Sequence, residues 1–132
     1  MIGLDTNVVL RRLLQDDATQ SAIANRLFNR AAMRDGDPCF ISLTTILETV
    51  WVLRSRYRLP VNVVAQAVQT LLSTEGVIVQ NEREVFAAMR LMREGAGSFE
   101  DALIGQLGVW IGCETTLTFD KKAVALPGFK PA

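Results

Sequence analysis

Short apolar runs alternate along the chain with longer segments whose apolar residues recur at helical spacing. Ile2 to Leu4 is the first run and ends in Asp5-Thr6-Asn7; Val8, Val9, Leu10, Leu13 and Leu14 then suit a helix. Between Asp17 and Arg34, Ile23, Ala24, Leu27, Phe28 and Ala31 share one helical face, and Asp35-Gly36-Asp37-Pro38 stops that helix. Cys39-Phe40-Ile41 predicts a second strand. Leu43 to Arg58 predicts a third helix, and Leu59-Pro60 breaks it before a fourth with the stripe Val63, Val64, Ala67, Val68, Leu71 and Leu72. Gly76 ends that helix, and Val77-Ile78-Val79 reads as a strand. Asn81 with Glu84 has the form of a capping box, opening a helix with inner face Val85, Phe86, Met89 and Met92 that Gly95 closes. Ser98 begins the next helix. Its body, Ala102 to Ile111, has no charge and is expected to be the central buried helix, ending at Gly112. Thr115 to Phe119, rich in β-branched residues, predicts the last main strand.

Strands separated by helices point to an α/β fold: a central parallel sheet with helices on both faces and ligands gathered at the carboxyl ends of its strands. No repeat or linker interrupts the pattern, and 132 residues suit one domain spanning 1–132. Hydrophobic residues make up 49% and charged residues 21%, too apolar a mixture for disorder. No stretch reaches the roughly 18 consecutive apolar residues of a membrane span, and no leader follows Met1, so a cytoplasmic protein with no membrane partner is expected. Cys39 and Cys113 each stand beside apolar neighbours and are expected to be buried small hydrophobes. A mean hydropathy of +0.22 is high for so small a chain and predicts an oligomer. Trp51 and Trp110, within apolar helices, read as core or interface residues.

The chain has no histidine, which removes His-based metal ligation, His general bases and the Ser-His and Cys-His nucleophile pairs. Any catalysis falls mainly to carboxylates. Four acids stand in apolar company: Asp5 after the first strand, Glu48 among Ile46, Leu47, Val50 and Trp51, Asp101 at the head of the uncharged helix, and Asp120 after Thr116-Leu117-Thr118-Phe119. The strand-end rule sets Asp5 and Asp120 on one edge of the sheet, where helix amino ends can bring Asp101 close. Clustered carboxylates repel one another and are stable as anions chiefly beside cations. Hard oxygen ligands without His or Cys suit Mg²⁺ or Mn²⁺, and the chemistry such ions do with carboxylates is phosphoryl hydrolysis by an activated water.

Each acid also has a structural use. Asp5 suits the cap of the following helix, Asp120 the cap of a short helix starting at Lys121, and Asp101 the third position of a helix capped by Ser98. Glu48 has no basic partner three or four residues on, and its structural alternative is a solvated stripe with Thr44, Thr45 and Ser55. Net charge is zero; setting the four acids aside leaves 14 basic residues against 10 acidic, compatible with a phosphate-bearing substrate without identifying one. Arg11 and Arg12 are candidate phosphate contacts and Arg54, Arg56 and Arg58 a second basic patch, although solvated faces explain both sets as simply.

The sequence resembles the PIN-domain ribonucleases, in the branch of VapC-type toxins from bacterial toxin–antitoxin pairs. The resemblance runs from end to end and is carried by Ile2-Gly3-Leu4-Asp5-Thr6-Asn7, by Glu48 with Thr49-Val50-Trp51-Val52-Leu53, by Ser98-Phe99-Glu100-Asp101-Ala102-Leu103-Ile104 and by Thr118-Phe119-Asp120-Lys121-Lys122. It implies a PIN-like α/β/α sandwich whose acidic cluster binds Mg²⁺ or Mn²⁺ and hydrolyses RNA, leaving 5′-phosphate and 3′-hydroxyl ends. Carried over by position, Asp5, Glu48, Asp101 and Asp120 are the catalytic and metal-binding set, Asn7 and Thr118 their polar supports, and Asp101 is favoured over its neighbour Glu100. A homodimer, and a small antitoxin whose tail occupies the site, are implied as partners. Two other readings stay open: a carboxylate-metal phosphohydrolase acting on DNA or a small phosphate ester, and a non-catalytic interaction module whose acids are structural caps. No Gly-rich phosphate loop and no CxxC pair occurs to support a nucleotide-cofactor or redox role.

Overall fold

A computed structural model describes residues 1–132. Strands and helices follow one another as β1 (Ile2–Gly3), α1 (Thr6–Leu14), α2 (Ala18–Ala31), β2 (Cys39–Ile41), α3 (Leu43–Ser55), α4 (Val61–Ser73), β3 (Val77–Val79), α5 (Glu82–Arg93), α6 (Phe99–Ile111), β4 (Thr116–Thr118), a 3₁₀ turn (Ala123–Ala125) and β5 (Phe129–Pro131). The result is a mixed α/β fold with a central parallel sheet and six helices. Helix starts follow local chemistry. Asp17 Oδ1 accepts from the Gln20 N–H at 2.8 Å, Ser42 Oγ from Thr45 at 3.2 Å and Ser98 Oγ from Asp101 at 3.1 Å, each satisfying an amide that has no partner inside its helix. No helix is long and apolar enough to cross a membrane.

The sheet runs β1-β2-β3, all parallel, with Ile2 opposite Cys39 and Cys39 in turn opposite Val77. Parallel neighbours need crossovers, and each here is a pair of helices: α1 and α2 lead to β2, α3 and α4 to β3. Gly76, at φ +78°, makes the turn into β3 so close to α2 that a Cβ there would lie 2.0 Å from the Ala31 carbonyl oxygen. The core lies between helices and sheet, with Val9, Phe28, Ile41, Ile46, Val50, Leu53, Val64, Val68, Leu71, Val85, Met89, Phe99 and Leu103 almost fully buried.

Thr116–Thr118 does not join this sheet. It pairs in parallel with β5, a strand the pattern leaves out, so that two sheets stand where one is expected. Phe129-Lys130-Pro131 has no alternation to mark it, and its proline suits only an edge position. The β4–β5 pair packs on α6 through small residues: a Cβ at Gly105 would lie 2.5 Å from Phe129 Cε2, and one at Gly108 2.9 Å from Thr116 Oγ1.

Several expectations about burial fail for one reason: apolar runs exceed the area the layers cover. In α6 only Phe99, Ala102, Leu103 and Gly105 are buried, while Ile104, Val109, Trp110 (61% exposed) and Ile111 face solvent, so α6 is not the central buried helix. Ile23, Val63 and Phe86 are likewise exposed members of faces read as inward. Trp51 and Trp110 are outside the core, and Cys113 is exposed while Cys39 is buried as expected. The third helix stops at Ser55, before Arg58. Asn81 is no capping box: its backbone is left-handed (φ 50°), whereas a cap side chain reaches the third amide from an extended backbone, and its amide donates instead to Glu84 Oε1 at 2.8 Å.

Candidate active site

The carboxyl ends of β1, β2 and β3 are laced together at the start of α3. Leu4 N–H donates to the Phe40 carbonyl at 2.9 Å, Thr45 Oγ1 to the Leu4 carbonyl at 3.4 Å, and Leu43 N–H to Gln80 Oε1 at 3.0 Å. Buried Thr45 also accepts from Ser42 Oγ at 3.2 Å. This lattice fixes the chain that emerges from β1, and the next residue is Asp5. Asp5 is exposed and caps α1, its Oδ1 accepting from Val8 N–H at 3.1 Å while Oδ2 is left free.

Glu48 lies on an exposed stripe of α3 with Thr44, Trp51 and Ser55; Thr45, expected on that stripe, is buried instead. Asp101 is half-buried at the third position of α6, where a carboxylate is favoured by the positive end of the helix dipole. Its neighbour Glu100 lines a cavity of about 420 Å³ with Trp51, Arg54 and Ser98. Asp120 is exposed after β4 and organises the turn there: Oδ1 accepts from Lys122 N–H at 2.8 Å, and its own N–H donates to Thr118 Oγ1 at 2.9 Å.

Asp5 and Asp101 therefore hold the structural positions expected of them, Glu48 an exposed stripe in mid-helix, and Asp120 a turn rather than the cap of a helix starting at Lys121, since the 3₁₀ turn begins only at Ala123. No three acidic side chains come together as a set able to hold a metal ion. The donors have the right chemistry for a hard divalent cation, being carboxylates without His or Cys. Asp5 follows a strand of the main sheet and Asp120 a strand of the β4–β5 pair, so the strand-end rule for one sheet does not cover both.

Asp5 opens onto a cleft of about 230 Å³ that it lines with Asn7, Val8, Arg11, Gln20, Ile23 and Ala24. Arg11 is the sole cation of this lining. Its Nη1 donates to Asp16 Oδ1, and Tyr57 OH donates to Oδ2 of the same carboxylate at 3.2 Å, tying the α1–α2 loop to the end of α3. The Arg11 bond holds the Asp16 carboxyl below the ordinary range and raises the arginine in turn, while Arg11 Nε is shielded without any partner. Arg12 points its chemistry elsewhere: it donates to Asn25 Oδ1 at 2.7 Å, stands 5.3 Å over the Phe28 ring and lines a different cavity. In the second basic patch, Arg54 donates to the Leu59 carbonyl at 2.8 Å and Arg56 stands 5.9 Å over Trp51.

Gln20, Ile23, Asp16 and Tyr57 are the residues that sequence reasoning passes over here. The Asp17 cap places Gln20 in the first turn of α2, but nothing in the sequence ties Tyr57 to a carboxylate 41 positions earlier.

The sequence model of the PIN domain family matches residues 2–128, and no individual curated protein matches the chain. PIN domains are generally metal-dependent nucleases, that is, hydrolases. With all but Met1 and the last four residues inside the match, the chain belongs to the PIN domain family.

Proposed function

We propose that this chain is a Mg²⁺- or Mn²⁺-dependent endoribonuclease acting as the toxin of a toxin–antitoxin pair, with Asp5, Glu48, Asp101 and Asp120 as its acidic set. Family membership over residues 2–128 carries the reading, and the cleft at Asp5 gives a substrate somewhere to lie. The reaction adds water across a phosphodiester P–O bond and leaves a 5′-phosphate and a 3′-hydroxyl. Asn7 at the cleft and Thr118 against Asp120 are the polar supports. The exposed apolar residues Ile104, Val109, Trp110, Ile111 and Leu117 supply a face for a homodimer, and the tail of an antitoxin is the inhibitor of the site.

A second reading is favoured by the structural uses of two of the acids, Asp5 as the cap of α1 and Asp120 in the turn after β4, with no three acidic side chains grouped to hold a metal: a non-catalytic module that binds a partner protein. One comparison decides between these and the phosphohydrolase alternative. Purified protein is incubated with single-stranded RNA, DNA of the same sequence and a phosphate monoester, with Mg²⁺, Mn²⁺ or chelator. Internal RNA cleavage that needs the metal and yields 5′-phosphate ends supports the proposal. Hydrolysis of only DNA or the ester moves the assignment to that substrate, and no hydrolysis of any leaves the interaction module.

A further inference from the structure

We infer that the cleft beside Asp5 is a nucleobase subsite, in which Val8 and Ile23 bear on the flat face of one unpaired base while Arg11 and Gln20 meet its polar edge. The ribonuclease reading says which polymer brings the base; the binding itself is independent of it.

Size is the first argument. About 230 Å³ lies below the roughly 300–1,000 Å³ of sites for drug-sized ligands and suits a single heterocycle. The second is charge. A phosphate needs a surplus of positive charge, and this lining has none: Arg11 is its sole cation, already bonded to Asp16, and Asp5 adds a negative charge beside it. A neutral planar group with donors and acceptors on its rim meets no such penalty. The third is the apolar lining. Ile23 is 47% exposed on a helix whose next residue, Ala24, is buried, so the cleft presents an aliphatic surface that the core does not use.

Arg11 is suited to reading an edge because it is held still. Asp16 fixes its Nη1, and Tyr57 fixes Asp16, which lowers the entropy lost when a further bond forms. A guanidinium carries five N–H donors, so the bond from Nη1 to Asp16 leaves others to offer. Bases taken out of a stack are held in this way, against aromatic or apolar side chains and by hydrogen bonds along their edges. Arg11 thus changes from the phosphate contact suggested by its sequence position to a base-reading residue, with Asp16 and Tyr57 as positioning residues.

The test follows the Ile23 methyls and the Gln20 side-chain amide by NMR while the protein is titrated separately with the four nucleosides and with inorganic phosphate. At least one nucleoside is expected to shift both groups saturably and phosphate to shift neither, with Ile23→Ser weakening that binding at least about fivefold, as for loss of an apolar contact. Ile23 is half exposed, so the variant is expected to keep its fold, which the remaining amide spectrum reports. Shifts with phosphate but not with nucleosides would make this a phosphate site and overturn the proposal, as would silence with every probe. RNA cleavage by the same sample reports the nuclease reading separately: nucleoside binding without cleavage removes that reading and leaves the subsite, and cleavage without nucleoside binding does the reverse.

Discussion

Tyr57 OH donates to one oxygen of Asp16 at 3.2 Å while Arg11 holds the other, so a single carboxylate joins the loop after α1 to the end of α3 beside the Asp5 cleft. Arg11 holds the Asp16 carboxyl below its ordinary value of 3.8. A carboxyl depressed in the folded state stabilises the fold at pH above its unfolded value and loses that contribution as pH falls through the folded one. Asp16→Asn is therefore expected to lower Tm at pH 7, with the gap from the parent protein narrowing once pH drops below 3.8. Thermal melts across pH 2 to 7 check it; a gap that stays constant with pH contradicts it.

Phe129 fills the space above Gly105 and anchors the β4–β5 pair on α6. Phe129→Ala is expected to cost about 3 kcal/mol, at the low end for loss of a buried aromatic because the site lies at the margin of the core. It is also expected to loosen the turn that carries Asp120 and lower any metal-dependent cleavage. Denaturant unfolding gives the first quantity; a loss under about 1 kcal/mol would show that the pair is held by something else.

The order of strands and helices was legible because apolar periodicity changes between short runs and helical stripes, and the caps Asp17, Ser42 and Ser98 are local chemistry. Periodicity carries no information on which apolar face finds a cover. Ile104, Val109 and Trp110 read like core and lie outside it, and β5 has too little alternation to be seen. The four acids were legible as exceptions to their surroundings. That the strand before Asp120 pairs with β5 and not with the main sheet was not, because strand pairing is a long-range choice. The Arg11–Asp16–Tyr57 triplet and the placement of Ile23 at the cleft likewise arise from chain segments brought together only by the fold.

Cys39 is buried, and burial pushes its thiol up, whereas Cys113 is exposed. A thiol reagent applied to the native protein is expected to label Cys113 and spare Cys39 until the chain unfolds. Mass mapping of the labelled site reads this directly, and rapid labelling at Cys39 would contradict the packing of β2.

If the exposed α6 face serves the proposed homodimer, Trp110→Ser combined with Ile111→Asp is expected to shift the protein toward monomer with little change in Tm of the isolated fold, since both side chains are solvent-facing in the single chain. Sedimentation at several concentrations measures the shift. An unchanged oligomeric state would place the interface elsewhere.

The central claim, a metal-dependent ribonuclease site made of carboxylates, is tested most directly by the rate of single-stranded RNA cleavage at a fixed Mg²⁺ concentration for the parent protein, Asp5→Asn and Asp101→Asn, purified identically. Each substitution is expected to keep a side-chain oxygen near the same shape while removing the charge, and to reduce the rate at least about a hundredfold with circular dichroism unchanged. Equal rates in all three samples would assign the cleavage to something other than these acids and contradict the account.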